Sequence, residues 1–203
     1  MSDQKHTSGS ELRSKIDFER VRSVWKKRDS GHAIDPGSVL EKKSVTVRLV
    51  DTFVKEGQAR SFTIKCDEPE KVGGIDAAPQ PTEFMLMSLG FCQMSILTVC
   101  AMKLRVQVDD IEISVTGYRD DRGLAGAAEV RPGYYRIEMV TKIVSSEPRS
   151  RIEKLARIAE ERCPVFDNLT NPTPVSNRVL HAGEVILSRD AGELRARPAP
   201  RSM

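Results

Sequence analysis

Phe84-Met85-Leu86-Met87-Ser88-Leu89-Gly90-Phe91-Cys92-Gln93-Met94-Ser95-Ile96-Leu97-Thr98-Val99-Cys100-Ala101-Met102 runs for 19 residues without one charged side chain. By length alone such a run is a candidate membrane span, since about 18 apolar residues suffice. Ser88, Gln93, Ser95 and Thr98 lie inside it, however, it stands alone in the chain, and alternating amphipathic segments flank it on both sides. A helix that is apolar on nearly every face is one buried on every side, so the run predicts the central helix of a soluble domain. Pro81, Thr82 and Glu83 suit its entry, because proline is tolerated in the first turn and an acid there meets the positive end of the helix dipole. Lys103 and Arg105 suit its end for the opposite reason.

Outward from this helix, the hydrophobic period changes from helical to alternating. Val45, Val47 and Leu49 alternate with Thr46 and Arg48, and Phe62, Ile64 and Cys66 alternate in a second segment. Both read as half-buried strands. Cys66 falls on an inward face as a core residue, and Val54 to Gln58, with Gly57, reads as the connecting turn. Asp67 to Pro81, rich in Pro and Gly, is the loop before the central helix. Downstream, Ile111, Ile113 and Val115 alternate. Gly117 to Gly133 is a loop, and Tyr135, Ile137, Met139, Thr141 and Ile143 form another strand. Arg149 to Arg162 predicts a second helix, with Ile152, Leu155, Ile158 and Ala159 at helical spacing and Ser146 or a neighbour as its cap. Cys163-Pro164 interrupts it, and Asn177 to Leu187 predicts a last strand. Strands in mostly hairpin order around two helices make the fold class α+β.

Composition fits one soluble domain with tails. Of 203 residues, 39% are apolar, 30% charged and 5% aromatic, which excludes disorder of the bulk and a disulfide-stapled miniature fold. The net charge of +3 is too small to imply a nucleic-acid partner, and basic residues without interleaved aromatics give no nucleic-acid footprint. Residues 1–43 carry 10 basic and 7 acidic side chains, and residues 189–203 carry 4 Arg against 2 acids. The expected organisation is therefore a basic N-terminal arm over 1–43, a domain over 44–188 and a C-terminal tail over 189–203. Within the arm, Ile16, Phe18, Val21, Val24 and Trp25 mark one face of a short helix that docks on the body or on a partner subunit. Met1 to Gly9 is polar and no apolar run follows a basic start, so the expected compartment is the reducing cytoplasm.

Few residues offer chemistry. His6 and His32 lie in the arm and His181 in a predicted strand, and the G-x-S-x-G nucleophile motif is absent. Gly73-Gly74 has neither the spacing nor the Lys of a phosphate loop. The four cysteines, Cys66, Cys92, Cys100 and Cys163, contain no C-x-x-C pair and have no nearby His, so no metal and no bound cofactor are expected. Two of the thiols hold unusual addresses. Cys92 is in the middle of the apolar helix and Cys163 is at the break of the second helix. Read from spacing alone, both remain open between inert core residues and working thiols.

The ordered set of motifs resembles a known family. Asp67-Glu68-Pro69, Gly73-Gly74-Ile75-Asp76 and Pro79-Gln80-Pro81-Thr82-Glu83-Phe84 lead to Leu89-Gly90-Phe91-Cys92, with Arg162-Cys163-Pro164-Val165 some 70 positions later. Over about Val45 to Leu187 the chain looks like the OsmC/Ohr family of osmotically inducible and organic hydroperoxide resistance proteins, closer to its less characterised OsmC-like branch. The resemblance implies an intertwined homodimer in which antiparallel sheets wrap two long central helices. It also implies a thiol-dependent peroxidase of small apolar hydroperoxides, with Cys92 as the peroxidatic thiolate and Cys163 as the resolving thiol. An external dithiol such as dihydrolipoamide would reopen the disulfide, and neither nucleic acid nor membrane would be a partner. Peroxide cleavage needs a thiolate, and Cys92 lies some ten residues into its helix, where the dipole has faded, so a cation is required. Arg60 and Arg48 are the candidates. In the peroxidase branches a Glu directly follows the Pro and holds that Arg. Here Thr82 takes the place and Glu83 is one residue late, about 100° further round the helix. Cys100, eight residues beyond Cys92, is expected in the core. The displaced Glu keeps a second class of function in view, a dimeric binding or redox-sensing module that holds an apolar ligand at the subunit interface.

Overall fold

A computed structural model describes residues 15–34, 41–171 and 173–190. The elements run α1 (Phe18–Ile34), β1 (Thr46–Asp51), β2 (Val54–Ala59), β3 (Phe62–Cys66), α2 (Pro81–Leu104), β4 (Asp110–Tyr118), α3 (Asp121–Ala125), β5 (Arg136–Val144), α4 (Arg149–Glu161), α5 (Pro164–Thr170), β6 (Asn177–His181) and β7 (Glu184–Arg189). The fold is α+β, with antiparallel sheets β1-β2-β3, β4-β5 and β6-β7. The arm's residues before 15 and the tail beyond 190 lie outside the described residues.

The core forms where α2 crosses α4. Leu97, Ala101, Leu155 and Ala159 are fully buried there, and Val106 and Val108 close it from the chain leaving α2. Alanines at the crossing let the two backbones approach, and the leucines fill the space beside them. The joint is also polar: the Arg151 guanidinium on α4 donates to the carbonyls of Leu104 (3.1 Å) and Arg105 (2.8 Å), capping the negative end of α2. The helix stops because Arg105 turns into the left-handed region at φ 54°. Cys100 joins this core as expected, and Ile16 and Phe18 of the arm pack against it.

Several local expectations are corrected. Val54–Ala59 is a strand, not a turn, and Gly57 sits between Val47 and Ile64 in register. The turns on either side are tight and carry positive φ on Thr52 (41°) and Arg60 (56°), residues without the glycine signal that marks such turns. Likewise Asn177 to Leu187 is a hairpin, reversed at Ala182-Gly183, both with positive φ. The loop after β4 holds the short helix α3, capped by the Asp120 carboxylate. Helix α4 starts after Pro148 without a side-chain cap. The chain after Cys163 is helical again, since Pro164 is accommodated in the first turn of α5.

Among the described residues, the central helix is not covered on every side. It packs against α4, β4, α5 and α1, yet Phe91 is 68% exposed. An open apolar groove of about 780 Å³ runs past Leu86, Met87, Phe91 and Met94. Sheet β1-β2-β3 and hairpin β6-β7 are similarly bare, with Val47, Leu49, Phe62, Leu180 and Ile186 all exposed. By length and composition α2 is apolar enough to cross a membrane. Its packing against α4 and β4 is that of a core helix.

The loop entering α2 is built on Asp67. Its buried carboxylate accepts from the backbone N–H of Ile75 (3.1 Å) and Ala77 (3.0 Å), and the Ala77 hydrogen bond leads in holding the group below the usual carboxylate range. Gly74 fits inside this loop because nothing larger does: a Cβ there would lie 1.8 Å from the Glu68 carbonyl oxygen. Gly74→Ala is expected to destabilise the fold by about 1–3 kcal/mol through forced backbone movement. Denaturant unfolding checks this, and a midpoint equal to that of the parent protein would contradict it.

Candidate active site

Cys92 lies half-buried at the middle of α2, and Cys163 is 1% exposed at the N-cap of α5. These thiols, 71 residues apart in sequence, are neighbours, close enough that Cys92 acts on the Cys163 thiol. Two features of the sequence bring them together. The α2–α4 crossing fixes the direction of α4, and Cys163-Pro164 then turns the chain so that α5 packs on α2 as well. Burial pushes the Cys163 thiol up, as does the neighbouring Cys92, while the N–H groups of Phe166 and Val165 pull the other way. Cys163 is thus held as a thiol. Both cysteines are reduced.

The other expected site residues are placed elsewhere in the single chain. Glu83 accepts from the backbone N–H of Gln80 (3.0 Å), so its carboxylate caps the helix start. Arg60 occupies the β2–β3 turn with its guanidinium 5.1 Å from the centre of the Phe62 ring. Arg48 stands in β1 beside a shallow recess with Glu56, Gln58 and Thr63. Among the described residues neither arginine forms an ion pair with Glu83. Thr82 instead uses its carbonyl to accept from the Tyr134 hydroxyl at 3.2 Å. No group of three or more His, Cys, Asp and Glu side chains suited to a metal ion occurs among the described residues.

Beside the thiols lies a groove of about 590 Å³, lined by Met85 and Leu89 of α2, Ile137 and Met139 of β5, and Phe166 and Leu169 of α5. Leu89 is one helical turn before Cys92 and Phe166 is three residues after Cys163, so the groove borders the pair. Arg131 and Arg136 stand at its margin. Sequence reading missed this groove because its walls come from three elements whose apolar residues look like ordinary core. Only the concentration of Met and Phe around the two cysteines hinted at it.

The fold is thus an α+β chain whose central helix and helix break bring two thiols close together beside an apolar groove. A family model described as OsmC-like protein matches residues 73–177, just over half of the chain, and the chain belongs to that family. Solved structures agree on the fold. An OsmC-like protein from Mycoplasma pneumoniae matches at 19% identity and a TM-score of 0.58, over 65% of this chain and 89% of its own. A hypothetical protein from Aquifex aeolicus VF5 matches at 24% identity and 0.52, over 66% and 91%. A Legionella pneumophila protein described as an organic hydroperoxide resistance protein OsmC, predicted redox protein, matches at 15% and 0.51, over 66% and 92%. No curated protein matches the sequence.

The raised Cys163 has a kinetic consequence. Closing a disulfide on an oxidised Cys92 needs the Cys163 thiolate, so closure is expected to accelerate as pH rises from about 7 toward and beyond the ordinary thiol value of about 8.5. Stopped-flow measurement of the slower phase after a peroxide pulse reads this directly. A closure rate that does not change with pH would contradict the placement of Cys163 as a buried thiol.

Proposed function

We propose that this protein is a thiol-dependent peroxidase of organic hydroperoxides. The observation that carries the reading is the closeness of half-buried Cys92 to fully buried Cys163. The Cys92 thiolate attacks the peroxide oxygen, breaking the O–O bond; the alkoxide leaves and takes up a proton as the alcohol, and Cys92 becomes a sulfenic acid. The Cys163 thiol gives up its proton and attacks the Cys92 sulfur, releasing water and closing the disulfide. An external dithiol such as dihydrolipoamide returns both sulfurs to the thiol form. That regeneration needs a reducing compartment, the cytoplasm. Apolar walls at Met85, Leu89, Met139 and Phe166 favour alkyl hydroperoxides over hydrogen peroxide. The Legionella protein's description as a hydroperoxide resistance protein supports the same chemistry.

The working unit in this reading is a homodimer. Sheet β1-β2-β3 and hairpin β6-β7 bury no apolar face within one chain, and two-stranded hairpins are marginal alone. The open Phe91 face of α2 is another apolar surface without cover. A second copy, with sheets wrapped across the paired central helices, covers all three. It also offers a source for the cation that Cys92 needs, since Arg48 and Arg60 lie on the sheet that would swing across.

Two measurements test the reading. With dihydrolipoamide as reductant, the protein should consume an alkyl hydroperoxide, Cys92→Ser should abolish turnover, and Cys163→Ser should stop after one equivalent. A parent rate no greater than that of Cys92→Ser would overturn the peroxidase. Light scattering should give a particle of twice the 22.6 kDa chain mass. A monomer at micromolar concentration would overturn the dimer.

A further inference from the structure

A second cavity, about 690 Å³, lies between α1, the C-terminal half of α2 and the end of α4. Its size is that of a small-molecule site. Ile96, Val99, Leu104 and Ile158 give it apolar walls, and Trp25 of α1 adds an aromatic one. The α1 helix, which supplies Trp25, lies outside the segment that matches the family, residues 73–177, while the rest of the lining lies within it.

The charged residues that line it are both basic. Lys103, in the last turn of α2, and Arg162, at the C-cap of α4, both line the cavity, and among the described residues its lining contains no carboxylate. Lys103 is already engaged: its ammonium is 3.0 Å from Asp29 and 4.7 Å from the centre of the Trp25 ring. Arg28 stacks on the same ring at 5.2 Å. Arg162 has no ion-pair partner among the described residues. An apolar chamber with one uncommitted guanidinium at its margin complements a ligand that is hydrocarbon along its length and singly anionic at one end. A phosphate monoester carries nearly two charges, which the single unpaired guanidinium of Arg162 does not match, and a cation would meet repulsion from Arg162.

We propose that this cavity binds a medium-chain monocarboxylate, with the alkyl chain among Ile96, Val99 and Ile158 and the carboxylate on Arg162. Trp25 is the aromatic wall of the site. The proposal is independent of the peroxidase reading, because neither Cys92 nor Cys163 lines the cavity.

Trp25 is the single tryptophan of the chain, so its emission reports on this site. The full chain titrated with decanoate, below micelle-forming concentrations, should give a saturable change in Trp25 emission. Arg162→Gln should weaken binding about tenfold or more, because the charged hydrogen bond is lost. Decanol should bind the parent protein correspondingly less well. Arg162 is exposed, and circular dichroism of the variant checks that the fold is kept. A change that fails to saturate, equal affinity for decanol and decanoate, or a folded Arg162→Gln variant that binds decanoate as the parent does would each overturn the proposal. Should the variant not fold, the comparison of decanol with decanoate decides alone.

Discussion

The contact between the Cys163 thiol and Cys92 is the constraint on which the functional reading rests. It joins the middle of one helix to the N-cap of another, and nothing local in the chain makes it. It exists because Leu97 and Ala101 lock α2 against Leu155 and Ala159 of α4, and because the chain turns at Cys163-Pro164 instead of running on as helix. A shift of one residue in that crossing would rotate each helix by about 100° and part the sulfurs. Core packing here is therefore also active-site geometry.

The same helix explains the bare surfaces. An apolar run of 19 residues needs cover all round, and one chain covers it only on the sides of α4, β4, α5 and α1. The remaining face, with Phe91 and the Met87–Met94 groove, and the unpacked sheets at either end of the chain share one need. In the proposed dimer a partner copy satisfies them together. The arm helix does something different: it lies over the far end of α2 and holds there through Trp25, Lys103 and Asp29.

Much of this was legible in the sequence. The absence of charge from Phe84 to Met102 marked the central helix, alternation at Ile111 to Val115 and Ile137 to Ile143 marked the paired long strands, and the spacing of Leu155 and Ala159 marked the buried face of α4. The hairpin turns at Thr52, Arg60 and Ala182 were not legible, because non-glycine residues hold positive φ there and leave no compositional trace. Cys92 and Cys163 were singled out by position and by motif, and the structure brings them together. Glu83 was legible as a charge at a helix start, which is where its carboxylate acts, on the Gln80 N–H. The groove beside the thiols was hidden, since Met85, Met139 and Phe166 acquire a common purpose only once three elements pack. For Arg48 alternation marked a strand, and Arg60 sits in a turn that left no trace; neither reaches Glu83 within one chain, and no single-chain periodicity encodes what an association would place beside them.

Mass spectrometry of the full chain after one equivalent of an alkyl hydroperoxide, with free thiols blocked before digestion, bears most directly on the central contact. The account predicts one intrachain link, between the peptides holding Cys92 and Cys163, with Cys66 and Cys100 recovered as blocked thiols. An oxidised Cys92 that stays unlinked while Cys163 is recovered blocked, or a link formed through Cys100 instead, would contradict it.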